Sequence, residues 1–147
     1  MRWSCVALAI VAAGCSSSPD GPELVPYTGV IQLDGQPLAD AVVTFHPNEK
    51  GLNGATGQTN ADGEFTLVTG KRSGIVPGSY KVTVSRFVKK DGSAVSAEEG
   101  MDIEQLRMTG DASESVPPQY SELDKTTLTA DVSEAPDSPP KFELTSS

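Results

Sequence analysis

Residues 54–84 read GATGQTNADGEFTLVTGKRSGIVPGSYKVTV, and this stretch decides the fold. Its centre, Asn60-Ala61-Asp62-Gly63, is typical of a tight turn because Asn, Asp and Gly accept the backbone angles that turns require. The segment EFTLV follows this turn and SYKVTV follows Pro77-Gly78, and in both segments apolar and polar side chains alternate. Alternation with a period of two predicts β-strands that bury one face. We therefore expect residues 54–84 to form the centre of a small β-sandwich.

The same alternation continues outward in both directions along the chain. Each stretch is short and is bounded by residues that end or turn strands, such as Asp34-Gly35 and Pro47. Short connections favour antiparallel neighbours, so we predict an all-β fold, namely a seven-stranded antiparallel sandwich. The predicted strands are residues 27–33, 40–46, 55–59, 64–68, 79–87, 126–132 and 141–145.

The phase of the alternation predicts which side chains face the core. The residues expected to point inward are Tyr27, Gly29, Ile31, Leu33, Ala41, Val43, Phe45, Phe65, Leu67, Tyr80, Val82, Val84, Leu128, Ala130, Val132, Phe142 and Leu144. The residues expected on the opposite, outer faces are Val42, Thr44, His46, Lys81 and Thr83.

Residues 88–118 leave this pattern and form a predicted insertion between strands. Ser96-Ala97-Glu98-Glu99 has the form of a capping box, which starts helices, and Gly110 is typical of a helix end. Ile103 and Leu106 give the intervening segment an apolar side, so we predict a short helix. Insertions of this kind often carry binding functions, although a connecting loop without a function is the alternative.

The composition limits the classes of function that the chain can have. Its 147 residues suffice for one modest domain. Acidic residues outnumber basic ones 20 to 11, and the formal net charge is −9. This balance argues against nucleic acid as a partner, because phosphate backbones require clusters of Lys and Arg.

The first 15 residues, MRWSCVALAIVAAGC, have the organisation of a secretory leader. Arg2 provides the positive charge, and the apolar run after it is shorter than the ~20 residues that span a bilayer. Its end, Ala12-Ala13-Gly14-Cys15, resembles the lipobox of bacterial lipoproteins. That resemblance implies cleavage before Cys15 and acylation of its thiol. An ordinary secretory leader with an unmodified Cys, or a cytoplasmic start, is the alternative.

This interpretation divides the chain into three parts. Residues 1–14 are the predicted lipoprotein signal peptide, residues 15–26 a flexible polar tether, and residues 27–146 the folded domain. The predicted partner is a membrane, reached through lipids on Cys15, and the predicted location is the cell envelope. Ser16 resembles the residue found after the Cys in lipoproteins that are sent to the outer membrane.

Four motifs resemble transthyretin-like, carboxypeptidase-regulatory-like β-sandwich modules. They are YTGVIQLDGQPLADAVVTFHP at residues 27–47, TNADGEFTL at 59–67, PGSYKV at 77–82 and VPPQY at 116–120. Tyr27 departs from the family pattern, which opens on Val. The resemblance covers nearly all of residues 27–144 and implies a Greek-key sandwich. It also implies a structural or binding role without catalytic residues.

Candidate chemical groups are few in this sequence. His46 is the only histidine, no G-x-S-x-G motif is present, and zinc sites need several His or Cys ligands. Hydroxyisourate hydrolases share the transthyretin fold, but they use several histidines and a Tyr-Arg-Gly-Ser ending that this chain lacks. We therefore expect no catalytic, cofactor-binding or metal-binding residue.

Two weaker candidates remain as alternatives. Asn60, Asp62 and Glu64 alternate around a turn and could offer oxygen atoms to calcium, although turn chemistry alone explains them. Tyr120, which lies beside the insertion, is the best candidate for an aromatic platform that binds a sugar.

The sequence thus predicts a lipid-anchored, non-catalytic module with a structural or protein-binding role. An envelope protein or a glycan is the expected partner. The first alternative is a carbohydrate- or cell-wall-binding module that uses the insertion. The second is a hydrolase of the transthyretin-fold type that uses His46.

Overall fold

The computed structural model of the protein describes residues 21–95, 102–134 and 136–146. Its strands are β1 (Thr28–Leu33), β2 (Gln36–Pro37), β3 (Val42–Pro47), β4 (Ala55–Gln58), β5 (Glu64–Thr66), β6 (Val68–Thr69), β7 (Arg72–Ser73), β8 (Gly78–Ser85), β9 (Phe87–Lys89), β10 (Ala112–Glu114), β11 (Thr129–Val132) and β12 (Lys141–Leu144). Its helices are α1 (Ile103–Thr109) and α2 (Pro118–Ser121).

The strands form two main sheets and one ribbon. The larger sheet has the order β11-β8-β3-β4-β6-β7, and its central pair, β3 and β8, is antiparallel over six residue pairs. The smaller sheet has the order β12-β1-β2, with β5 also paired to β1. Strands β9 and β10 form the separate ribbon. The prediction of an all-β, sandwich-like fold is confirmed, while the Greek-key connection order stays a prediction.

Each stretch that was predicted to be extended contains a strand, but two details differ. The stretch 64–68 is divided at Leu67, because β5 pairs with β1 in the smaller sheet and β6 pairs with β4 in the larger one. Strands β1 and β12 run parallel, against the expectation of antiparallel neighbours. Almost the whole chain lies between these two strands, so no short turn fixes their relative direction.

The core lies between the two main sheets, and Phe45 of β3 is at its centre. The centroid of its ring lies 5.2 Å from that of Tyr27, 6.0 Å from Tyr80, 6.2 Å from Phe142 and 6.3 Å from Phe65. These rings come from both sheets, so their contacts hold one sheet against the other.

The predicted inward face is mostly confirmed. Fully buried side chains include those of Ile31, Val43, Val82 and Leu144. The exceptions are partly buried residues that border the core, namely Leu33, Leu128, Ala130 and Phe142. Ala130 and Phe142 lie on the edge strands β11 and β12, and Leu128 directly precedes β11.

Tyr80 fixes the turn that precedes the longest strand. Its hydroxyl donates a hydrogen bond to the carbonyl oxygen of Val76 at 2.6 Å, across Pro77-Gly78. Burial, with a smaller contribution from the charge of Glu49, raises the pKa of the Tyr80 phenol. The phenol therefore stays protonated and continues to donate this bond.

Different segments of the chain lie at the two ends of the sandwich. Strand β8 runs from Gly78 at the end we call proximal to Ser85 at the end we call distal. The first described residues and the β6–β7 turn lie at the proximal end, beside Gly54. The insertion continues from the distal end. Eight residues at ~3.3 Å each separate the two ends by about 26 Å.

The turn Asn60-Gly63 is built into the sandwich. The amide of Ile31 donates to the Gly63 carbonyl at 2.8 Å, and the φ angle of Gly63 is +76°. A Cβ atom at this position would lie 2.5 Å from the carbonyl oxygen of Ile31. Only glycine therefore fits between this turn and β1.

We predict that Gly63→Ala destabilises the domain more than Gly35→Ala does. Gly35 has a similar φ of +80°, but no atom lies within 4 Å of the position its Cβ would take. Both substitutions cost about 1 kcal/mol for the left-handed backbone, and the clash at Gly63 adds about 1–3 kcal/mol. Urea unfolding of both variants measures the difference. Equal losses of stability would contradict the close packing of this turn.

Candidate functional site

The predicted lipidation site, Cys15, lies outside the described residues, and so does the whole predicted signal peptide. The described chain begins at the proximal end, where it is fixed to the domain. Val25 and Ile75 exchange two backbone hydrogen bonds of 2.9 Å, and the Arg72 side chain donates to the Pro22 carbonyl at 3.1 Å. The ordered domain therefore already includes Val25, before the predicted domain start at Tyr27.

The insertion forms a β-ribbon with one helix. Strand β9 pairs with β10 and also with the residues after its own turn, because the Val95 amide donates to the Phe87 carbonyl at 2.8 Å. Helix α1 begins after Asp102, whose side chain accepts from two backbone amides, and ends at Gly110 with φ of +75°. The predicted helix end at Gly110 is confirmed.

Helix α1 begins later in the sequence than the capping-box pattern predicts. Residues 96–99, which have capping-box form, lie outside the described residues, and the N-cap of α1 is Asp102. The helix buries none of its residues completely, and Met108 is 81% exposed. Its imperfect apolar periodicity therefore corresponds to a helix that lies on the surface of the ribbon.

Glu114 attaches the insertion to the distal end of the sandwich. One carboxylate oxygen accepts hydrogen bonds from the amides of Arg86 at 2.7 Å and Val116 at 3.0 Å. The other oxygen accepts a hydrogen bond from the Ser85 hydroxyl. The Arg86 side chain in turn donates to the carbonyl of Ala39 at 2.9 Å. These bonds position the ribbon relative to β8.

A groove of about 490 Å³ lies between the ribbon, α1 and the end of α2. Its walls include Phe87, Arg107, Glu114 and Glu122. The Arg107 guanidinium lies 5.5 Å above the Phe87 ring and 3.1 Å from Glu104. The groove thus combines a cation, carboxylates and one aromatic ring, and its surface is suited to polar partners.

Tyr120 does not provide the exposed platform that the sequence led us to expect. It is 8% exposed, and its hydroxyl lies 3.2 Å from the Thr145 hydroxyl. The short helix α2 turns the ring inward, where it covers the distal end of the core. The sequence could not show this, because α2 is a single turn without a repeated apolar pattern.

His46 lies on the outer face of β3, as its position in the alternation predicts, but it is partly buried. One ring nitrogen, Nε2, lies 3.0 Å from the hydroxyl of Thr83, which is 7% exposed. Burial lowers the pKa of His46, so the ring favours its neutral form. This contact joins the neighbouring strands β3 and β8 on the outer face of the larger sheet.

The Asn60–Glu64 segment has the chemistry of a turn. The side-chain oxygen of Asn60 accepts from the amides of Asp62 at 2.9 Å and Glu64 at 3.0 Å. That oxygen is therefore committed to the backbone. Among the described residues, no group of three or more His, Cys, Asp or Glu side chains could hold a metal ion.

Comparison with known proteins gives no match, since no family model, curated protein or solved structure is significantly similar to the chain. The resemblance to transthyretin-like modules accordingly stays a prediction. No helix in the described ranges is both long and apolar enough to cross a membrane.

Two residues that organise the ends of the sandwich were missed in the sequence. Glu114 lies in a polar run, DASES, that offers no periodic signal. Arg72 follows Gly70-Lys71, which is recognisable as a turn only after β6 and β7 are seen to pair. Both residues act through contacts with segments far away in the sequence, and a local pattern does not contain that information.

We predict that Glu114→Ala destabilises the protein by about 2–3 kcal/mol. The substitution leaves two backbone amides and one hydroxyl without their charged acceptor. Urea unfolding measures the loss, and hydrogen exchange at the amides of Arg86 and Val116 localises it. Glu104→Ala is the matched control, because the exposed pair with Arg107 contributes less than ~1 kcal/mol. Similar small effects of both substitutions would exclude the positioning role of Glu114.

We also predict that His46 makes stability depend on pH. The lowered pKa in the folded state means that the unfolded chain binds the proton more tightly. Stability is therefore lost as the pH falls below the unfolded value of about 6.5, and it is retained above that value. His46→Gln is expected to remove this part of the pH dependence between pH 5 and 7.5 in urea unfolding. Identical pH profiles for both proteins would contradict the prediction.

Proposed function

We propose that this protein is a lipid-anchored, non-catalytic β-sandwich module of the cell envelope with a structural or protein-binding role. The observation that carries the proposal is the arrangement of the two ends. The chain joins the domain at the proximal end, beside Arg72 and Ile75. The insertion projects from the distal end, where Glu114 fixes it. An anchor on Cys15 would therefore leave the insertion directed away from the membrane.

The contacts of three polar side chains support a role without catalysis. His46 contacts a threonine hydroxyl, Asn60 caps a turn, and Glu114 accepts bonds from three neighbours. Each of these groups has a structural partner that accounts for it. A binding role needs only an accessible surface, and the ribbon with α1 and its groove provides one.

The charge distribution favours a partner with cationic groups. Acidic side chains outnumber basic ones at the distal end and on the insertion. The acidic residues there are Asp34, Asp40, Asp62, Asp91, Asp102, Glu104, Asp111, Glu114, Glu122 and Asp124. The basic residues there are Arg86, Lys89, Lys90, Arg107 and Lys125. Such a surface attracts basic partners and repels nucleic acids.

Neither alternative function gains support from a particular contact. The carbohydrate-binding alternative relied on Tyr120 as a platform, and that ring is buried. The hydrolase alternative relied on His46, whose ring is hydrogen-bonded to the hydroxyl of Thr83. Binding experiments on the whole protein would detect a sugar ligand in the groove beside Arg107.

We predict that Cys15→Ala prevents both lipidation and cleavage of the precursor. In the native host, the wild-type protein is expected to lose residues 1–14 and to incorporate labelled palmitate. Cys15→Ala is expected to remain at full length without label, as is wild-type protein under globomycin. Cys5→Ala is the matched control, since its thiol is removed with the leader. Normal cleavage of Cys15→Ala to an unlabelled, soluble product would refute the proposal.

A further inference from the structure

A second groove, of about 530 Å³, lies at the proximal end of the sandwich. Its walls include Gly21, Asn53, Gly54, Thr69, Gly70 and Arg72. The chain reaches the domain along this groove, and the turn between β6 and β7 forms its opposite side. The lining contains a guanidinium group, no carboxylate, and three exposed glycines.

Arg72 is held in place by the first described residues. Its Nη1 atom donates to the Pro22 carbonyl at 3.1 Å. A Cβ atom on Gly21 would lie 2.9 Å from the same nitrogen, so glycine lets the guanidinium lie against the chain. An arginine has five N–H donors, and the other guanidinium nitrogens make no hydrogen bond within the described residues. They are left to bind a ligand in the groove.

The turn beside Arg72 adds a second cation. Strands β6 and β7 pair Thr69 with Arg72, so that Gly70 and Lys71 form the two-residue connection. Gly70 has φ of +63°, and no heavy atom lies within 4 Å of the position of an added Cβ. Lys71 is exposed at the tip of this turn. Glu23, which lies between two lining residues, and Glu49 are not part of the lining.

We propose that this groove binds a phosphoryl group and that Arg72 is its main ligand. The planar fork of arginine matches two phosphate oxygens, and the exposed turn glycine Gly70 leaves room for an anion beside it. Lys71 contributes a point charge from the turn. The absence of a carboxylate from the lining distinguishes this groove from the acidic distal end.

The proposed lipid anchor would bring phosphate to this site. Only residues 16–20 separate Cys15 from the described chain, and such a segment spans at most ~20 Å. Headgroup phosphates would then lie within reach of Arg72. The inference rests on the proposed function only if the phosphate belongs to a lipid headgroup. A soluble phosphoryl compound offers the same chemistry and needs no lipid anchor.

The direct test is a titration of the full chain with inorganic phosphate and with glycerol 3-phosphate. The protein is kept in maltoside micelles, which contain no phosphate, and backbone amide shifts are followed by NMR. We expect saturable shifts at Gly54, Gly70 and Arg72 with millimolar dissociation constants. Arg72→Gln is expected to weaken binding at least tenfold, and Arg72→Lys less. Lys125→Gln, a cation at the distal end, is the matched control and is expected to change nothing.

A second variant tests binding without removing the contact that Arg72 makes with the chain. Lys71→Gln leaves the contact of Arg72 with Pro22 intact and is expected to weaken binding about threefold. Absence of saturable shifts in the wild-type protein would overturn the proposal. Equal affinities of the wild type, Arg72→Gln and Lys71→Gln would overturn it as well.

A membrane experiment identifies the source of the phosphate. The lipidated protein is placed on vesicles of phosphatidylcholine or of a galactolipid that contains no phosphate. If headgroups occupy the groove, trypsin cleaves after Lys71 and Arg72 at least tenfold more slowly on phosphatidylcholine, while cleavage after Lys125 is equal. Equal protection on both vesicles, with phosphate binding in micelles, assigns the site to a soluble compound. If Cys15 is not lipidated but the protein in micelles still binds phosphate, the proposed function is refuted and the phosphate site is retained.

Discussion

The packing of Phe45 against four other aromatic rings is the interaction on which the rest of the structure depends. Its ring contacts Tyr80 in the larger sheet and Tyr27, Phe65 and Phe142 beside or within the smaller one. The described residues contain no cysteine, so no disulfide joins the two sheets. Burial of these rings and of the aliphatic side chains around them therefore keeps the sheets together, and both ends of the sandwich take their positions from it.

The two ends differ because different kinds of contact organise them. At the proximal end, Arg72 and Ile75 hold the incoming chain through hydrogen bonds to Pro22 and Val25. At the distal end, Glu114 collects three donors and thereby holds a ribbon with few buried residues of its own. In the function proposed above, the sandwich separates the end where the chain enters from the end that carries the insertion.

Local patterns were sufficient where a side chain's role depends on its near neighbours. Alternation identified the buried positions of β3 and β8, including Phe45 and Tyr80, because the period of two is a property of each strand. Patterns were insufficient where partners are distant in the sequence. The sequence makes Tyr120 a candidate surface ring, but in the fold its hydroxyl lies 3.2 Å from that of Thr145. The hydrogen-bond partner of His46, Thr83, likewise became known only from the fold.

The sequence by itself determined the strands, their buried faces and the turn at Asn60-Gly63. These features follow from periodicity, turn propensity and composition, all of which act over a few residues. Only the tertiary structure decided the parallel pairing of β1 with β12, the crossing at Leu67 and the positions of Arg72 and Glu114. Each of these depends on how segments far apart in the chain meet, and that is fixed by the packing of the whole core.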